Sequence, residues 1–148
     1  MEKLSEPLAE RTRQEWRDFG FYYISDAEAL EWHLHGSKSG LLGLAEALDS
    51  YAGNSSNAVP SEHEHLGPHW YFTLTTWPES RLDGRGIWGQ PRDFERLASL
   101  LREILDVATT GHTYIIRDQY VPSAEYALVL HIQQDSFDPA SMDPQLAG

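Results

Sequence analysis

Seven histidines are the residues with the widest chemical reach in this sequence. His33-x-His35 and His63-x-His65 each place two imidazoles on one face of an extended chain, because side chains alternate along a strand. His69 follows the second pair, and Glu62 and Glu64 are interleaved with it. Imidazoles at this spacing beside carboxylates follow a zinc-ligand pattern. His63, His65 and His69 are therefore metal candidates, and with Glu62 or Glu64 as base they define a small His-dependent metal-binding hydrolase as one reading. An H-x-H pair holds no ion until the fold supplies a third ligand, so the leading expectation is no metal and no cofactor. Cysteine is absent, which removes thiolate nucleophiles, disulfides and Cys-based zinc sites and fits a reducing cytosol. The G-x-S-x-G, G-x-x-x-x-G-K-[ST], H-E-x-x-H and G-x-G-x-x-G signatures are missing too, and no catalytic residue is assigned.

The charge of −12 on 148 residues is unevenly placed. Residues 1–17 and 92–117 are each balanced, whereas 18–91 carry ten acidic against three basic groups and 118–148 carry five acidic and none basic. That balance disfavours nucleic-acid phosphates and anionic lipid and favours a basic protein partner. No apolar run approaches the roughly 20 residues of a membrane span. The N-terminus, with Glu2, Lys3, Ser5 and Glu6, lacks the regions of a secretory signal, so a cytoplasmic location is expected.

These side chains must be positioned by a small set of elements. Ser5, Glu6 and Pro7 open a first helix with Leu8, Thr12 and Trp16 on one face and Gly20 at its end. Phe21–Ile24 is strand-forming, and Leu30, Trp32 and Leu34 alternate with Glu31, His33 and His35. Leu41, Leu44, Ala45 and Leu48 mark a second helix, and Phe94, Leu97, Ala98, Leu101 and Leu105 a third, opened by Pro91. Glu62–Leu66 reads as a short strand. Trp70, Phe72 and Leu74 form the buried side of the next, and Ile87-Trp88 resumes an extended path. His112–Arg117 and Glu125–Ile132 read as a hairpin with Tyr126, Leu128, Leu130 and Ile132 inside. The tract 53–61 is expected to be a flexible loop and 135–148 a polar tail without an element of its own.

The expectation for the whole is a single α+β domain over 1–148. Offset by 53 residues, Gly36 meets Gly89, Leu41 meets Phe94, Leu44 meets Leu97 and Leu48 meets Leu101. This predicts an internal duplication, 28–77 and 84–133, as two tandem β-α-β-β units forming one mixed sheet with the helices on one face. On the other face would lie Glu31, His33, His35, Tyr71, Thr73, Thr75 and Trp77. Aromatic anchors inside an acidic rim suit a basic partner, with Tyr71 and Trp77 as contacts and Glu79, Asp83, Asp118, Glu62 and Glu64 as surrounding charge. A homodimeric structural or regulatory domain, closed through the same face, is a third reading.

The run Trp70–Trp77, then Asp83-Gly84, Ile87-Trp88-Gly89, the Phe94–Leu105 helix, Glu125–Leu128 and Phe137-Asp138-Pro139-Ala140 resembles a group of small bacterial α+β proteins. The group includes immunity proteins of polymorphic-toxin systems. The resemblance covers about residues 65–145 and brings no catalytic residue with it. It implies a cytosolic protein that binds and neutralises a cognate toxin, whose basic cleft, as in a nuclease, an acidic surface would suit.

Overall fold

The structure, a computed structural model, describes residues 3–146. Met1, Glu2, Ala147 and Gly148 lie outside it, and with them the outermost parts of the expected N-terminus and polar tail. Helix α1 (Glu6–Phe19) begins after Ser5, whose side chain makes no capping bond, and stops at Gly20, whose N–H returns to the Trp16 carbonyl at 2.9 Å. Its buried stripe is Ala9, Thr12 and Trp16, while Leu8, expected on that stripe, is on the rim. Strands β1 (Tyr22–Asp26) and β2 (Glu31–Gly36) follow as a hairpin. Trp32 and Leu34 point inward, but Leu30 occupies the turn with φ +56° and is exposed.

Ser37 accepts the Gly40 N–H at 3.0 Å and so caps α2 (Lys38–Gly53). The polar tract beyond it contains a 3-10 turn, Ser55–Ala58, whose Asn54 cap accepts from the Ser56 N–H. Strands β3 (His63–Leu66), β4 (Phe72–Thr76), β5 (Arg81–Asp83) and β6 (Gly86–Gly89) come next. Helix α3 (Pro91–Val107) starts where the Gln90 N–H donates to Asp93 Oδ2 at 2.8 Å. Strands β7 (Thr113–Ile116) and β8 (Ala127–Ile132) complete the set.

The eight strands form two four-stranded sheets, not the one mixed sheet expected: β1-β2-β8-β7 and β3-β4-β6-β5. Each is assembled from an antiparallel pair of one half of the chain and an antiparallel pair of the other, joined by a central parallel pair, β2 with β8 and β4 with β6. Helix α2 leaves β2 of the first sheet and delivers the chain to β3 of the second, and α3 makes the reverse crossing. Alternation along a strand reports which residues are buried and is silent on which strand lies beside it. The offset of 53 residues that superposes α2 on α3 also carries Leu34 to Ile87, whose parallel partners are Leu130 and Leu74.

The inward residues of both sheets and of α1, α2 and α3 join in one apolar cluster. Trp32 and Phe72 connect the sheets with ring centroids 4.6 Å apart, and Tyr51 of α2 meets Phe94 of α3 at 5.2 Å. Trp70 was expected in this core and is instead 68% exposed. Its backbone is left-handed, φ +64°, and β4 begins two residues later, so Trp70 is not on the alternation that buries Phe72 and Leu74. The polar tail, expected to hold no element of its own, contains one. Asp138 pairs with Arg17 through two bonds of 3.2 and 3.0 Å and heads a 3-10 turn, Pro139–Met142.

At Gly86 the backbone of β6 passes close to that of β4. Its φ is +132°, and a Cβ there would lie 2.2 Å from the Thr73 carbonyl oxygen. Gly86→Ala is expected to lower stability by about 2–4 kcal/mol, read as a lower urea midpoint. An unchanged midpoint would show that the parallel pair tolerates a side chain at this crossing.

Candidate functional site

The outer face of the second sheet is built from two rows set by strand register. His63, Thr75, Trp88 and Arg81 are successive cross-strand partners, and His65, Thr73, Gly86 and Asp83 form the neighbouring row. Glycine at 86 leaves backbone where the first row carries an indole. The result is a concavity of about 360 Å³, whose lining includes both histidines, both threonines, Trp88 and Arg81, together with Ser61, Trp77 and Arg85. Trp77 meets Trp88 edge-on at 6.0 Å, and the Arg81 guanidinium lies 5.5 Å from the Trp88 ring centroid, within cation–π range.

Hydrogen bonds fix the orientation of the histidines. His63 Nδ1 donates to the Ser61 carbonyl at 3.1 Å and His65 Nδ1 to the Trp70 carbonyl at 2.8 Å. A carbonyl only accepts, so the proton is assigned to Nδ1, and Nε2 of each neutral ring is left as an acceptor. The Trp70 ring stacks beside His65 at 6.4 Å and extends the aromatic surface beyond the concavity. A solvent-facing indole on a left-handed backbone costs stability and is a feature of contact surfaces.

The residues expected at a partner surface are dispersed. Trp77 lines the concavity; Tyr71 does not, lying in a separate recess of about 330 Å³ with Tyr22, Ile24 and His69. Glu62 and Glu64 are exposed on or beside edge strand β3, where Glu64 pairs with Leu74 and so projects away from the face that carries His63 and His65. Glu79 is exposed between β4 and β5. Asp83 is tied into the β5–β6 turn, where Oδ1 accepts the Arg85 N–H and Trp88 Nε1, both at 2.9 Å. Asp118 belongs to the β7–β8 connection and accepts the Ser123 N–H at 3.3 Å.

The metal candidates do not converge. His69 donates Nε2 to Asp143 Oδ2 at 2.6 Å, and Trp16 Nε1 donates to the same oxygen at 2.8 Å. This trio, with Trp16 and Asp143 buried and His69 half-buried, fastens the tail to α1 and takes His69 away from His63 and His65. Among the described residues, no three His, Asp or Glu side chains form a group that could hold a metal ion. Sequence reasoning had no place for Arg81, Arg85 or Trp88 in a site, and it put Trp70 in the core. The available signal for the arginines was that they are the only Lys or Arg between residues 39 and 91.

A second cluster occupies the outer face of the first sheet. His131 Nε2 lies 2.8 Å from His33 Nδ1, and His33 Nε2 lies 3.1 Å from Glu31 Oε1. The His35 and His131 rings stack at 4.2 Å. In neutral rings the carboxylate requires His33 to donate through Nε2, which leaves His33 Nδ1 to accept from His131.

Residues 31–81 match the sequence model of the family Immunity protein 32. The matched segment is about a third of the chain, from β2 to the start of β5. Similarity was expected over about 65–145, so the two spans share only 65–81. No curated protein and no solved structure matches the chain. Among the described residues, no helix is long and apolar enough to cross a membrane.

Acid stability reports on both hydrogen-bonded polar groups. Burial, with His131 and His33 close by, lowers His35 to about 4, and burial beside His33 lowers His131 although Glu31 opposes it. Unfolding returns these rings to the ordinary value near 6.5, so the unfolded chain binds protons first and stability falls from about pH 6.5 towards 4. For Asp143, burial raises the carboxyl, but hydrogen bonds from Trp16, His69 and the Gln145 N–H more than offset it, and the group sits below its ordinary value. Its contribution is complete above that value and is lost as pH falls through the lowered one. Thermal melts are expected to show two stages of acid loss, the first absent in a His35→Asn/His131→Asn variant. Asp143→Asn is expected to cost about 2–3 kcal/mol at neutral pH. A midpoint constant from pH 7 to 4 in the wild type would contradict the histidine assignment.

Proposed function

We propose that this protein is an immunity protein that binds and neutralises a cognate toxin in the cytosol and contributes no chemistry of its own. The observation that carries the reading is an overlap. The segment matching the Immunity protein 32 model supplies the whole lining of the concavity except Arg85 and Trp88, and Trp70 besides. An exposed face with three tryptophans, two histidines and two arginines has the composition of a protein-binding surface, where Trp and Arg dominate affinity.

The charge of −12 favours a basic toxin, such as a nuclease with a basic substrate cleft. The Ala127 N–H donates to the Leu30 carbonyl and the Tyr126 N–H to the Leu82 carbonyl, which draws the β1–β2 turn, β5 and the β7–β8 connection together. Asp26, Glu28, Asp83, Asp118 and Glu125 are carried by these segments and form the acidic approach to the partner. A second reading, a homodimer, has one observation in its favour: Ile24 and Ile115 are 42% and 55% exposed in the row they share with Val129 on the first sheet.

Expression of this gene is expected to protect cells from a toxin encoded beside it, and the purified pair should associate about tenfold more slowly when salt is raised to screen the charge. Failure to protect against every adjacent toxin, with no co-purifying neighbour, would remove the immunity reading. A metal-free stable dimer in light scattering would favour the second.

A further inference from the structure

We propose that the concavity on the second sheet is a carboxylate seat: Arg81 and Arg85 receive an Asp or Glu side chain of a partner protein segment whose apolar neighbour packs against Trp77 and Trp88. The inference rests on the immunity reading and adds to it the chemistry of the bound segment.

The placement of charge carries the argument. Between residues 39 and 91 the chain has no positive side chain except Arg81 and Arg85, and both line the same concavity. Arg13, Arg17, Arg96 and Arg102 are ion-paired. Among the described residues, Arg81 and Arg85 have no such partner, as is true of Arg11, Arg92 and Arg117, but only Arg81 and Arg85 line this concavity. The nearest carboxylate in sequence, Asp83, is committed through Oδ1 to Trp88 Nε1 and the Arg85 backbone N–H. The Arg81 guanidinium lies over the Trp88 ring, 5.5 Å from its centroid, and a guanidinium donates in the forked geometry that matches a carboxylate. Thr73 and Thr75 add hydroxyl donors on the floor, and no acidic side chain is among the lining residues.

The rest of the molecule selects the kind of anion. A polyphosphate chain would be repelled along its length by a protein of charge −12. One carboxylate within a mostly basic partner suffers no such penalty, and it sets the register of an interface that long-range charge has already brought together.

The test uses the full-length protein and the indole N–H resonances of its five tryptophans. The probes are acetyl-Glu-Leu-Glu-amide, its Gln-Leu-Gln analogue and decathymidylate. The Glu peptide is expected to shift the Trp77 and Trp88 resonances with a Kd on the order of 1 mM. It should bind about tenfold more weakly to R81Q/R85Q, with R81K/R85K between the two. Both arginines are exposed, so the variants should melt with the wild type. Unmoved indoles, equal shifts with the Gln peptide, or the same shifts with decathymidylate would each overturn the seat. Cell protection separates the two ideas: R81Q/R85Q protecting as well as wild type overturns the seat alone, and a wild type that protects against no adjacent toxin strikes the immunity reading, leaving the peptide result to decide the seat.

Discussion

Two parallel strand pairs, β2 with β8 and β4 with β6, hold the protein together, because each joins strands from opposite halves of the chain. Neither sheet can be completed by one half. A parallel pair needs a crossover: β2 reaches β8 only through both helices and the second sheet, whereas β4 reaches β6 through 77–85 and β5, and α2 and α3 cross between the sheets and pack against each other through Tyr51 and Phe94. The closeness of approach then becomes restrictive: Gly86 must stay without a side chain where β6 passes the Thr73 carbonyl. The β2–β8 contacts join residues almost a hundred positions apart, from Glu31 with Ala127 onward, so the outer face of the first sheet needs both ends of the chain, while the strands of the second sheet all come from residues 63–89.

The same constraint distributes the chemistry. With the helices and inward side chains filling the core, each sheet keeps one outer face for polar and aromatic residues. The first carries Glu31, His33, His35 and His131, linked into a hydrogen-bonded and stacked group. The second carries His63, His65, Trp77, Trp88, Arg81 and Arg85 around a concavity, and register alone decides that Trp88 lies between Thr75 and Arg81. The Trp16–Asp143–His69 group fastens the tail to α1 and keeps His69 out of that face.

Much of this was readable from the sequence in its local parts. The helical spacings of Leu41–Leu48 and Phe94–Leu105, the stop at Gly20, and the burial of Phe72, Leu74, Leu128 and Leu130 all follow from short-range periodicity and appear as expected. Pairing across the halves was not readable, because alternation carries no address; one sheet was expected where two exist. Trp70 was misplaced for a local reason, a left-handed backbone that nothing in its residue type announces. The site was half visible. Trp77 and the His63–His65 pair stood out by type, while Arg81, Arg85 and Trp88 acquire meaning only when β5 and β6 are laid beside β4. The acidic total concealed the locally cationic character of that face.

The central claim is that a toxin is bound on the outer face of the second sheet. Amide hydrogen exchange of the protein, free and in complex with the toxin encoded beside it, tests this most directly. Slower exchange in the complex across β3, the 67–71 connection and 77–86, with the first sheet unchanged, is the predicted result. Slowing confined to β1, β2 and β7, with β3 and β5 as in the free protein, would contradict the account.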